Sequence, residues 1–343
     1  MELRQPYLLF LGDVRDQLAA KVAHGLVHWR RDWCVGQMRL PGCGADTGVP
    51  DLSIEEAAAK GARTFVVAVA NAGGVLAPSW IPHVVAAIEA GFDVASGLHV
   101  RLASVPEIAE AAAKHGAALH DVRHAERAFA TGKGTVRSGR RLLTVGTDCS
   151  VGKKFTALAL EAAMRRRGWQ ADFRATGQTG LLISGKGVAV DAVVADFIAG
   201  AAEWLSPDAD PDHWDLVEGQ GSLFHPSFSG VTLGLLHGSQ PDAFVVCHEP
   251  TRRAMRGVEA PIPAIAEVID MTVRLGRIVN PAVRCVGIAV NTEKLGEGQA
   301  LTYLDRLAGE HGLPAVDPIR FGVEPVIDRV AAEFPAVSPR SST

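Results

Sequence analysis

The segment Gly146-Thr147-Asp148-Cys149-Ser150-Val151-Gly152-Lys153-Lys154 stands between an apolar run at residues 142–145 and a helix-patterned stretch that opens at Gly152. No other feature limits the fold so tightly. Successive backbone N–H groups at a helix N-terminus converge on an anion, and a lysine there adds a mobile positive charge. Strand, glycine-bounded loop and helix in that order make a phosphate-binding loop, which a parallel sheet presents at its carboxyl edge. Five residues separate Gly146 from Gly152. The usual four-residue spacing is kept if Thr147 takes the first-glycine position.

One position departs from the usual pattern. The residue after the loop lysine is ordinarily Ser or Thr, whose hydroxyl binds Mg²⁺. Here it is Lys154, and an ammonium group has no lone pair to offer a metal. Thr156 lies two residues further round the helix and is expected to face elsewhere. The loop therefore suits a diphosphate held by protein charge, which is what coenzyme A presents. No metal site is expected.

A second signature is Trp214-Asp215-Leu216-Val217-Glu218-Gly219-Gln220-Gly221-Ser222, an apolar strand ending in an acid and two glycines. Glu218 there would assist Mg²⁺ or a water in a nucleotide enzyme, or take a proton from an amine in a group-transfer enzyme. His225 follows closely and is the second candidate base. Asp215 reads as a strand-start or solvent residue. Gln178 and Thr179, after the apolar run at residues 171–175, are candidate substrate hydrogen-bonders. Arg252 or Arg253, after the run ending at Cys247, would clamp a carboxylate by a bidentate pair. Asn291-Thr292 ends the apolar run at residues 283–290 and reads either as a contact to a base or ribose or as a helix cap.

Alternation of apolar runs with helical patterns extends over the whole chain. In the first part, residues 7–11, 63–69 and 92–96 read as strands and 16–27, 82–90 and 105–115 as helices. Gly12-Asp13, Asn71-Ala72-Gly73-Gly74 and Gly97-Leu98-His99 end the strands and are expected to line a Rossmann-like crevice, though without the GxGxxG of a dinucleotide site. Residues 130–141 are polar and glycine-rich. The expected organisation is an α/β Rossmann-like parallel-sheet domain over residues 1–138, a phosphate-loop α/β domain over 139–338 and a disordered tail, 339–343. Arg165, Arg166 and Arg167, before Gly168, read as cations opposing a helix dipole.

Of 343 residues, 48% are hydrophobic, enough for a sizeable core. The formal net charge of −4 with neither half basic argues against a nucleic-acid face. No apolar run approaches the roughly 20 residues that span a bilayer, and no secretory leader is read at the start. Five cysteines without a CxxC pair suggest a reduced cytoplasmic protein. A homo-oligomer, most simply a dimer, is expected.

Together, ANAGG and SGLH in the first half and GTDCSVGKK, ATGQTG, LVEGQGSL, HEPTR and VNT in the second resemble a bacterial and archaeal family, the DgcN type, over nearly the whole chain. The resemblance implies an N-acetyltransferase acting on D-glutamate in D-amino-acid catabolism, with acetyl-CoA as co-substrate. It implies that the loop from Gly146 to Lys154 binds the acetyl-CoA diphosphate, offset by Lys153 and Lys154. Attack by an amine on a thioester needs a base, Glu218 or His225, with backbone N–H groups of residues 219–221 available to the oxyanion. Arg252 and Gln178 are then the candidates for the substrate carboxylates. Two other readings stand beside this one. One is an ATP- or GTP-dependent ligase or kinase like dethiobiotin synthetase, using Mg²⁺ and favoured by GTD-x-x-V-G-K and V-E-G. The other is a nucleotide-sensing protein without catalysis.

Overall fold

Short, β-branched and apolar segments form two all-parallel sheets, as expected of strands covered on both faces. The computed structural model describes residues 3–17, 19–70, 74–124 and 127–335. Asn71, Ala72 and Gly73 and the tail 339–343 lie outside the described residues. The first sheet has the order β2-β1-β3-β4-β5, with β1 Tyr7–Gly12, β2 Cys34–Arg39, β3 Thr64–Val67, β4 Asp93–Ser96 and β5 Leu119–Asp121. Helices α1 Lys21–Trp29, α2 Ile54–Ala59, α3 Ile81–Glu89 and α4 Pro106–His115 link them. The expected helix at 16–27 begins late, because the Asp16 carboxylate caps a turn through Ala19 N (2.8 Å). Every residue of β1 is buried, and Phe10 packs against Phe65 and, edge-on, against Trp80.

The second sheet has the order β11-β10-β9-β6-β8-β7. Its strands are β6 Arg140–Gly146, β7 Ala171–Arg174, β8 Trp214–Val217, β9 Ala243–His248, β10 Arg284–Val290 and β11 Ala315–Val316. The helices are α5 Lys153–Arg166, α6 Gln178–Ser184, α7 Ile198–Leu205, α8 Ser229–Ser239, α9 Ile265–Gly276, α10 Glu297–His311 and α11 Glu324–Glu333. One core on this sheet joins Leu143 and Val145 of β6 to Phe244 and Val246 of β9, Ile288 and Val290 of β10, and Val268 of α9.

The chain divides into two compact units. One runs to Arg127 and takes in Gly177–Ala192; the other comprises Ala128–Thr176 and Val193 onward. Helix α6 therefore belongs to the first unit, where it packs on α1. The arginines closing α5 are structural: Arg165 pairs with Asp172, and Arg166 and Arg167 pair with Glu324. Asp215 is not a solvent residue. It is buried in β8 and accepts from Arg174 Nε (2.6 Å) and His213 Nε2 (3.1 Å).

Candidate active site

Strand β6 delivers the chain to Gly146, where the loop begins. Thr147 is buried, its N–H bonded to Cys247 O (3.0 Å) and its hydroxyl 3.1 Å from His248 Nδ1. Ser150 (φ +53°) and Gly152 (φ +107°) are both left-handed, which curls the loop into a nest. For Ser150 that conformation stores on the order of 1–2 kcal/mol, held in place by its surroundings. Gly152 precedes α5 without a side-chain cap, so the first-turn N–H groups of the helix serve the loop.

Asp148 is fully buried and accepts three hydrogen bonds, from Cys149 N (2.6 Å), Arg252 Nη1 (2.7 Å) and Arg256 N (2.9 Å). Arg252 goes further, donating to Cys149 O (2.6 Å) and Ser150 O (2.8 Å), with its Nε 3.2 Å from Glu249. Arg256 Nη1 donates to Ser150 Oγ (2.6 Å). The loop is thus braced from outside by two arginines of the segment after β9. Arg252, expected at a substrate carboxylate, spends its fork on the loop. Arg253 is exposed.

Lys153 is buried and donates to Asp148 O (2.7 Å); burial lowers its pKa. Lys154 places its ammonium 4.9 Å from the Phe155 ring centroid. Thr156 is buried and turned back, donating to Gly152 O (3.1 Å) and accepting from Cys247 Sγ (3.4 Å), so it does not replace the missing hydroxyl. Burial raises the Cys149 thiol, against the pull of Lys153 and both arginines.

Glu218 lies one residue beyond β8 and is buried. Its Oε2 accepts from Thr176 N (3.0 Å), and Thr176 Oγ1 donates to the Glu218 carbonyl (2.5 Å). Gln220 Nε2 completes the cluster on Thr176 Oγ1 (3.2 Å). Gly219 N donates to Thr144 Oγ1 (2.9 Å), so the first of the expected oxyanion N–H groups is already engaged. A Cβ on Gly219 would lie 1.6 Å from Thr144 O and 3.1 Å from Lys153 Cδ. Only glycine lets the Glu218 loop run against β6 and the loop lysine.

His225 is buried and doubly bonded. Its Nδ1 accepts from Ser227 N (3.1 Å), which fixes the proton on Nε2, and Nε2 donates to Arg256 O (3.1 Å). Its lone pair is therefore spent, and the ring serves to tie the Glu218 loop to the Arg256 segment. Glu218 is left as the stronger candidate base. Asp148, Cys149 and His225 bring a carboxylate oxygen, a thiol and a ring nitrogen within 4.8 Å of one another. As a metal site this set fits poorly, because its carboxylate is paired with Arg252 and its imidazole lone pair is occupied.

Gln178 and Thr179 are in the first unit. With its amide nitrogen toward Gly97 O (2.5 Å) and its oxygen toward Arg123 Nη2 (3.3 Å), Gln178 is satisfied within that unit, and Arg123 also pairs with Asp191. Two of the strand-end glycines make room for the chain's own side chains. Trp80 lies over Gly12 and His99 over Gly74.

Glu249, Arg256, Thr176 and His248 escaped the sequence reading as site residues; Asp148 is expected there as part of the diphosphate-binding loop, and its carboxylate is spent on the loop's own brace. Thr147 and His248 are 101 positions apart. The HEPTR motif was the available signal for Glu249, and the four-residue step from Arg252 to Arg256 for the second brace.

An α/β protein with a braced anion nest, a buried lysine and an acid at the end of the next strand is a phosphate-loop protein. The sequence matches the family described as "Domain of unknown function (DUF1611_C) P-loop domain" over residues 128–327 and "Domain of unknown function (DUF1611_N) Rossmann-like domain" over residues 38–125. The chain belongs to this family. It is 53% identical over 331 residues to a D-glutamate N-acetyltransferase of Tritonibacter scottomollicae, covering 96% of this chain and 99% of that one. It is 52% identical over 328 residues to a D-glutamate N-acetyltransferase of a Pseudoalteromonas species, covering 95% and 99%. The fold matches the crystal structure of a DUF1611 family protein from Anabaena variabilis with a TM-score of 0.86 at 32% identity, covering 96% of this chain and all of that one.

Proposed function

We propose that this protein transfers the acetyl group of acetyl-CoA to the amino group of D-glutamate. The observation that carries the reading is the loop 146–154, which offers backbone N–H groups, Lys153 and Lys154 to a diphosphate and has no hydroxyl where Mg²⁺ is ordinarily held. Near-full-length relatives at about half identity, named D-glutamate N-acetyltransferase, support acetyl transfer to D-glutamate.

The chemistry needs a neutral amine. Glu218 accepts a proton from the substrate ammonium, the freed lone pair attacks the thioester carbonyl, and the C–S bond of the tetrahedral intermediate breaks. The products are N-acetyl-D-glutamate, free coenzyme A and one proton. A carboxylate buried beside Thr176 and one residue from a close-packed glycine is held in a fixed place for that transfer. Among the described residues no helix is long and apolar enough to cross a membrane. The five cysteines are unpaired; our reading extends to a reduced cytoplasmic protein that assembles as a homodimer.

The test is thiol release from acetyl-CoA with D-glutamate, L-glutamate and other D-amino acids, with and without Mg²⁺. Release with D-glutamate, independent of Mg²⁺, is the expected result. No release with any acid, together with Mg²⁺-dependent turnover of ATP or GTP, would replace this reading with the ligase or kinase one.

A further inference from the structure

A buried carboxylate beside the loop has no use in the chemistry above. Glu249 follows β9, and its side chain is 5% exposed. Its Oε1 accepts from Thr251 N (2.9 Å) and Thr251 Oγ1 (2.5 Å). Its Oε2 is buried without a hydrogen bond, 3.2 Å from Arg252 Nε and 3.6 Å from Lys294 Nζ. Two cations stand near it, but neither gives it a well-aligned hydrogen bond, and a buried acceptor left so is costly and rare in native proteins. Lys294 is the opposite case, 65% exposed, its ammonium 3.4 Å from Thr251 Oγ1.

The sheet order tells which part of a ligand meets this pair. Strand β6 stands between β9 and β8, so the loop is flanked by Glu249 on one side and by Glu218 on the other. A coenzyme A diphosphate in the nest has two arms. The thioester arm goes with Glu218, and the nucleoside arm is left to the ends of β9 and β10. That nucleoside has a free 2′-hydroxyl next to a 3′-phosphate on its ribose. A donor-seeking carboxylate next to an exposed ammonium is the complement of that pair of groups.

We propose that Glu249 and Lys294 form the ribose subsite of the acyl donor, Glu249 Oε2 accepting the 2′-hydroxyl and Lys294 meeting the 3′-phosphate. This rests on the reading that the loop holds coenzyme A, and it gives the loop its means of selecting that molecule over an ordinary nucleoside diphosphate. Arg252 on the other side of Oε2 leaves the carboxylate paired when Lys294 turns to the phosphate.

The experiment is calorimetric titration of the full chain with coenzyme A, ADP, 3′-phosphoadenosine 5′-diphosphate and the 2′-deoxy form of the last. The wild type is expected to bind the 3′-phosphorylated nucleotide about tenfold more tightly than ADP, a contact worth one charge-assisted pair. Lys294→Gln should erase that preference while leaving ADP affinity unchanged, and Lys294→Arg should keep it. Glu249→Gln should weaken the ribonucleotides more than the 2′-deoxy ligand, narrowing the difference between them, a pattern that misfolding would not produce. Equal binding of ADP and its 3′-phosphate by the wild type, or a Lys294→Gln loss common to both, overturns the subsite while the coenzyme A reading stands. Failure of coenzyme A itself to bind overturns both.

Discussion

Replacing Arg252 with lysine separates two roles that the position allows. Its guanidinium holds Asp148, Cys149 O and Ser150 O at 2.6–2.8 Å, a span across three consecutive loop residues. A lysine ammonium is a point charge on a flexible stem and keeps about one of those bonds. Each charge-assisted hydrogen bond contributes about 1.5–3 kcal/mol when buried, and with the side chain 22% exposed the loss is set at the lower end, about 2–3 kcal/mol for two. If that loss falls on the organisation of the nest, donor affinity drops by roughly 30- to 150-fold. Steady-state kinetics would show it as a raised KM for acetyl-CoA, with the KM for D-glutamate within about twofold of wild type. Thermal melting should fall by roughly 4–12 °C, at about 2–4 °C per kcal/mol for a unit of this size. A raised KM for D-glutamate with donor KM and melting temperature unchanged would refute the argument and return Arg252 to the substrate carboxylate.

Other perturbations test separate links. Burial pushes His248 down to about 4, from an ordinary 6.5. The folded state therefore binds fewer protons than the unfolded one, so stability is lost as pH falls from about 6.5 to about 4, by up to about 3 kcal/mol. His248→Gln should flatten that limb in urea unfolding curves. Gly219→Ala drives a Cβ into the Thr144 carbonyl and should cost at least about 3 kcal/mol, whereas Gly309→Ala on α10, where nothing lies within 4 Å, should stabilise by about 0.5–1 kcal/mol. Lys154→Thr restores the hydroxyl and removes a cation. Titration should show weaker binding of coenzyme A without Mg²⁺ and partial recovery with it.

What could be read along the chain was local. The loop 146–154 announces itself because its strand, glycines, lysine and helix are contiguous, and Glu218 because it ends an apolar run. Strands of four or more buried residues, such as Thr64–Val67 and Ala243–His248, were legible for the same reason. The three-residue β5 and two-residue β11 were not, being too short to carry a pattern, and β2 mixes Gly36, Gln37 and Arg39 into its run. Pairings at long range were invisible. Asp215 looks like a solvent residue until Arg174, 41 positions away, is brought beside it. The placement of Gln178 is the sharper lesson. Thr176 bonds Glu218 in the second unit, yet from Gly177 the chain belongs to the first, where Gly97 has no side chain and Gln178 fills the space. A motif that reads as one strand-end turn is therefore split between two packing environments. Thr176, rather than the more conspicuous Gln178, is the residue that fixes the candidate base.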